Sequence, residues 1–109
     1  MHELSIADNI VEHCVEQANG ARVVRVRLEI GRLSCVAPEA LRFCFDDCAK
    51  DTIVEGAVLD IIAIHGRARC RGCGEDIEIG SFIDSCACGS RNLQIIAGEG
   101  LMLKDMEVA

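Results

Sequence analysis

Tryptophan and tyrosine are missing from this sequence, and its 109 residues include only three phenylalanines and one proline. A core must therefore be assembled mostly from Val, Ile, Leu and Ala. The same shortage removes the aromatic platforms on which unpaired bases stack. Basic residues are also scarce: 11 Lys and Arg stand against 18 Asp and Glu, a formal charge of −7. A nucleic-acid surface needs a basic face that displaces counterions from phosphates, so the charge argues against nucleic-acid partners and against an anionic membrane surface. No stretch reaches the ~18 apolar residues of a membrane span. Glu3, Asp8 and Glu12 interrupt the N-terminus, which lacks the basic flank and apolar run of a signal peptide. The expected compartment is the cytoplasm. No glycine-rich loop suited to a nucleotide phosphate and no nucleophile–base pair stands out, so no enzyme is expected.

Cysteine is the exception, with eight residues. Disulfides are rare in the cytoplasm, which leaves metal binding or core packing. Cys14, Cys35, Cys44 and Cys48 are scattered among apolar residues. Cys70, Cys73, Cys86 and Cys88 are grouped in a polar, glycine-rich stretch.

Residues 4–18 have helical spacing: Ala7, Ile10, Val11, Cys14, Val15 and Ala18 recur at i, i+3, i+4 and i+7, with Gly20 as the stop. "RVVRVRLEI" alternates as a half-buried strand, with Val24, Val26, Leu28 and Ile30 on one face and Arg25, Arg27 and Glu29 on the other. Pro38 fits the first turn of a second helix. Leu41, Cys44, Phe45 and Cys48 form its apolar stripe, so Cys44 and Cys48, like Cys14, read as small buried hydrophobes. "GAVLDIIAIH" is a second strand. "RNLQIIAG" and "LMLKDMEV" are two more, expected to pair as a hairpin across "GEG".

Between them lies "GRARCRGCGEDIEIGSFIDSCACGS", which has few large apolar residues and is expected to lack a core of its own. "CRGC" and "CAC" supply two close thiol pairs, the donor set of a structural Zn²⁺ site able to order such a loop. Gly72, Gly74 and Gly89 suit the turns around it. An iron–sulfur cluster also takes four thiolates and stays open on spacing alone. Two further readings are open: a zinc-ribbon binding module, and a small redox protein with free, reactive thiols.

The chain begins "MHELSIADNI". A histidine near a terminus is ordinarily solvated and idle. Here the Met1 amine, the His2 amide nitrogen and the His2 imidazole can chelate one ion in fused five- and six-membered rings. A further amide, or the Glu3 carboxylate, completes the set. Nitrogen and oxygen donors in a square-planar array suit Ni(II) and Cu(II).

These features together resemble the HypA family of nickel-insertion accessory proteins. The resemblance runs through "MHELSIADNIV", "VVRVRLEIGRLSCVAPEALRFCFD", "CRGCG", "CACGS" and "LQIIAGEGLMLKDMEV". It implies a nickel metallochaperone for [NiFe]-hydrogenase maturation, not an enzyme. Met1, His2 and Glu3 would form the nickel site, with Ni(II) as cargo. Cys70, Cys73, Cys86 and Cys88 would hold structural Zn(II). The implied partners are the maturation GTPase HypB and the hydrogenase large subunit, and a homodimer is compatible with the reading. One departure is the single residue between Cys86 and Cys88, where the family has two. A ring that tight strains a tetrahedron at Cys86, and His65, close to the insert, is a candidate substitute. His13 is expected on the surface of the first helix. The expected fold is α/β (α+β): two helices on a small, mainly antiparallel sheet. Residues 1–65 and 92–109 would form the nickel-binding domain, and 66–91 the zinc-binding insert.

Overall fold

In the computed structural model, which describes residues 2–109, the first helical pattern becomes α1, Glu3–Ala18. Ala7, Ile10, Val11, Cys14 and Ala18 are its buried face, while Val15 is exposed. The helix stops at Asn19, whose backbone is left-handed (φ 50°), followed by Gly20 (φ 86°). The stop is thus shared with an asparagine, the other residue that tolerates this conformation. Pro38 opens α2, Pro38–Ala49, with Leu41, Phe45 and Ala49 buried at i, i+4 and i+8. Cys44 and Cys48 flank that stripe and are only half-buried.

The strands are β1 (Val23–Gly31), β2 (Val58–Ile64), β3 (Gly66–Cys70), β4 (Asp76–Ile79), β5 (Leu93–Ala97) and β6 (Leu101–Val108). They form two sheets, ordered β2-β1-β6 and β4-β3-β5. The expected hairpin is therefore overturned: β5 pairs with β3, and β6 lies beside β1. β5 meets β3 from Arg67 opposite Ala97 to Cys70 opposite Leu93.

Two compact units result. One comprises the chain up to Leu28, Val36–Ile62 and Met102–Ala109. Here α1 packs on α2. Val23, Val26, Leu28, Val54 and Leu59 add to a core whose largest fully buried side chain is Phe45. Val24 departs from the expected alternation, being 40% exposed where Val23 is buried. Ala109 N–H bonds to Arg22 O, and Arg27 pairs with Asp105 and Glu107, so β1 and β6 run antiparallel. Val23 N–H bonds to Ile53 O and Arg25 pairs with Asp60, so β2 advances in the same direction as β1. A parallel pair needs a crossover, and α2 is that crossover.

The other unit comprises Glu29–Cys35 and Ala63–Leu101. β3 pairs antiparallel with β4, Gly66 opposite Ile79 through Arg69 opposite Asp76, and with β5 on its other edge. Contrary to the sequence expectation, this unit has a small core. Leu33, Ala68 and Ile79 are buried together, with Ile77, Leu93 and Ile95 packed against them. Leu33 belongs to the turn after β1, far away in sequence, and so escaped a reading confined to the insert.

Candidate metal centres

Cys70 ends β3, Cys73 lies in the turn to β4, and Cys86 and Cys88 lie between β4 and β5. Backbone bonds shape both turns: Gly74 N–H to Cys70 O (2.8 Å) and Cys70 N–H to Glu75 O (2.8 Å) in the first. In the second, Gly89 N–H bonds to Cys86 O (2.8 Å) and Cys86 N–H to Ser90 O (2.9 Å). Gly74 (φ 79°) and Gly89 (φ 93°) take left-handed backbone that a side chain would oppose. Asp84 organises the approach, accepting from Gly80 N–H (2.7 Å) and Ser81 Oγ (3.1 Å), which holds its carboxyl below the usual range.

The turns bring all four sulfurs within 4.8 Å of one another. Cys70 and Cys88 are 3.6 Å apart, as are Cys73 and Cys86. Four thiolates at about 2.3 Å from one ion would be separated by about 3.8 Å, close to the separation of these two pairs. All four thiols are free. Cys70 and Cys86 are buried, and Cys73 and Cys88 are exposed. The single-residue spacing therefore brings Cys86 into the cluster. His65 stays outside it and pairs with Glu78, Nδ1 to carboxylate at 2.9 Å.

The four thiols do not share their protons evenly. The Cys73 and Gly72 N–H groups lower the Cys70 thiol to about 6, so it is a thiolate near neutrality. For Cys73 the Glu75 N–H acts downward, but the Cys86 and Cys70 sulfurs together push it up to about 12. Cys88 has help from the Ser90 N–H and is still raised by Cys70 and Cys86. One negative charge is accommodated; further ones repel. A divalent cation in the centre would reverse that balance and deprotonate the set.

At the other candidate centre, Met1 lies outside the described residues. His2 is exposed and precedes α1 directly, at its N-cap. Ile6 N–H bonds to His2 O at 3.1 Å. Glu3 begins the helix, and its Oε2 accepts the Ala37 N–H at 3.1 Å. That bond, with the residue's own N–H, holds the Glu3 carboxyl below its ordinary value. The Ala37 contact was missed from sequence. Its only sequence signal is the absence of a polar N-cap residue before Pro38. His13 is exposed, and Cys14 is fully buried with its thiol pushed up by burial. Cys35 is exposed with φ 62°.

Two helices, two small sheets and a four-thiol knot define a small α/β protein whose clustered cysteines could hold a metal ion. The family model described as "Hydrogenase/urease nickel incorporation, metallochaperone, hypA" matches residues 1–108. A hydrogenase maturation factor HypA from Trichormus variabilis is 51% identical over 108 residues, covering 99% of this chain and 96% of that protein. The Geobacter metallireducens factor of the same name is 45% identical, covering 99% of each. The solution structure of the nickel metallochaperone HypA from Helicobacter pylori matches with a TM-score of 0.70 at 26% identity, covering 99% of this chain and 97% of that one. The chain belongs to the HypA family. It is a maturation factor of the nickel metallochaperone class, not an enzyme. No helix among the described residues is long and apolar enough to cross a membrane.

Proposed function

We propose that this chain carries Ni(II) at its N-terminus for insertion into the [NiFe]-hydrogenase, while Cys70, Cys73, Cys86 and Cys88 hold one structural Zn(II). The observation that carries the nickel reading is where α1 begins. Ile6 N–H bonds to His2 O in the first turn, and the His2 nitrogen itself stands before the helix. Helix starts leave such donors without a ladder partner. A chelate built from the Met1 amine, the His2 amide nitrogen and the exposed His2 imidazole would therefore cost no helical hydrogen bond. Hard and borderline nitrogen donors in a plane suit Ni(II). An exposed site can surrender its ion to competing ligands; a cage of four thiolates would hold it.

The zinc reading is supported by sulfur separations that fit a single ion. Zinc bound there supplies a cross-link between the two turns rather than chemistry. In functional terms, the unit of residues 1–28, 36–62 and 102–109 is the nickel-binding part and the unit of residues 29–35 and 63–101 the zinc-binding part. The partners are HypB and the hydrogenase large subunit, met in the cytoplasm. The test is metal analysis and nickel titration of the untagged protein. One zinc per chain and one nickel site lost in His2→Ala are expected. Zinc-free protein from zinc-replete cells, or a nickel site indifferent to His2→Ala, would refute the respective half.

A further inference from the structure

α2 starts without a side-chain cap of its own. Ala37, at its N-cap, has no polar side chain, and Pro38 follows without an N–H. In a capping box, the third helical residue turns its carboxylate back to the N–H of the N-cap residue. Here that third residue is Ala40, which has nothing to offer. The missing carboxylate comes instead from Glu3, 34 residues earlier, whose Oε2 accepts the Ala37 N–H at 3.1 Å. Glu3 is the first residue of α1. One carboxylate thus serves the N-termini of two helices that pack on each other, and both ends favour an anion.

We propose that Glu3 is a positioning residue of the nickel site: its side chain clasps the first turn of α1 to the start of α2 and so fixes the backbone next to His2. This rests on the nickel reading above. The Glu3 carboxylate is then a structural tie, not a principal ligand. Without it the first residues must be ordered at the moment of metal binding, and the lost freedom opposes binding. The clasp also joins the nickel-binding end to the Val36–Pro38 segment, so a partner that disturbs the start of α2 would loosen nickel without touching it.

Three variants test this. Glu3→Ala removes the acceptor. Glu3→Gln keeps an oxygen that the Ala37 N–H can reach. Ala37→Pro removes the donor and leaves Glu3 and His2 intact, at a residue whose φ of −84° is near that of proline. Nickel titration should show Glu3→Ala and Ala37→Pro weakened in parallel by about tenfold, with Glu3→Gln recovering most of the loss. The Ala37 amide proton should exchange at least about tenfold faster in Glu3→Ala than in Glu3→Gln. Equal loss in both Glu3 variants, with Ala37→Pro unchanged, would make the carboxylate a ligand and overturn the proposal. Unchanged Ala37 exchange in Glu3→Ala would overturn it too, including where Ala37→Pro fails to fold. A nickel site that survives His2→Ala refutes the nickel reading alone; the exchange measurement then decides the clasp.

Discussion

Gly31→Ala should be among the most damaging single changes in the unit that carries the cysteines. A Cβ at position 31 would stand 2.0 Å from Gly98 O, 2.2 Å from Gly98 C and 2.9 Å from Glu99 N. These are backbone atoms, so no side chain can swing away. Reaching an ordinary contact of 3.4 Å would require the end of β1 and the 98–100 turn to part by about 1.4 Å, the difference between 3.4 and 2.0. Two bonds cross this seam: Leu33 N–H to Gly98 O at 2.8 Å and Gly31 N–H to Gly100 O at 2.7 Å. Both would be stretched beyond 4 Å by that movement. Each bond contributes about 0.5–1.5 kcal/mol, and a buried group left unpaired costs about 1–3 kcal/mol. The expected loss is about 2–6 kcal/mol, a large share of the ~5–15 kcal/mol typical of a whole domain. Leu33 would also be pulled from Ala68 and Ile79, the core on which the knot rests. Gly100→Ala is the matched control: nothing lies within 4 Å of its new Cβ, and a change within about 0.5 kcal/mol is expected. Urea unfolding followed by circular dichroism, with amide exchange at Leu33, would measure both. Two variants of equal stability would refute the reasoning.

In the thiol knot, Cys86→Ala should weaken zinc by at least about a hundredfold in competition with a chromophoric chelator, whereas His65→Ala should leave it unchanged; the reverse order would make His65 the fourth ligand. Asp76, bonded to Arg69 Nε at 2.9 Å, has its carboxyl held below the ordinary 3.8. The unfolded chain therefore takes up this proton first, so the pair's contribution to β3–β4 pairing is complete above that value. It fades as pH falls through the lower folded value. A carbon-13 titration of Asp76 should show the depressed midpoint, and Arg69→Ala should return it to normal. Finally, a few residues placed before Met1 should weaken nickel binding at least about tenfold, or about 1.4 kcal/mol, because the amine donor becomes an amide. Zinc content should not change. Equal nickel affinity would mean that the terminal amine is no ligand.

Much of this architecture was legible because it is local. The 3.6-residue spacing that ends at Ala18 survives as α1, Pro38 opens α2 as its fixed φ suggests, and paired cysteines with adjacent glycines close into one cluster. What escaped was non-local. "GEG" flanked by two strand patterns looks like a hairpin, yet β5 goes to β3 and β6 to β1. A turn signal records that the chain reverses, not which strand it meets afterwards. The insert seemed coreless because Leu33 supplies the missing apolar residue from far away in sequence. Val24 broke the alternation at the strand entrance, where burial passes to Val23.

The two candidate centres differ in the same way. The knot is written into one short stretch, and its spacing alone nearly defines it. At the N-terminal candidate, Glu3 meets the backbone N–H of Ala37. Every residue has such a donor except proline, so no side-chain pattern marks the one that will be used. What the sequence does contain is a vacancy: an α2 start with Ala37 and Pro38 where Ser, Thr, Asp or Asn would ordinarily stand. A helix start that lacks its own cap must find an acceptor elsewhere or leave a donor unpaired. In a chain whose first helix opens with an acidic residue and packs on the second, Glu3 is the acceptor that the fold brings there. A cap absent from one helix can therefore be searched for on the neighbour, and here the search leads to the residue beside His2.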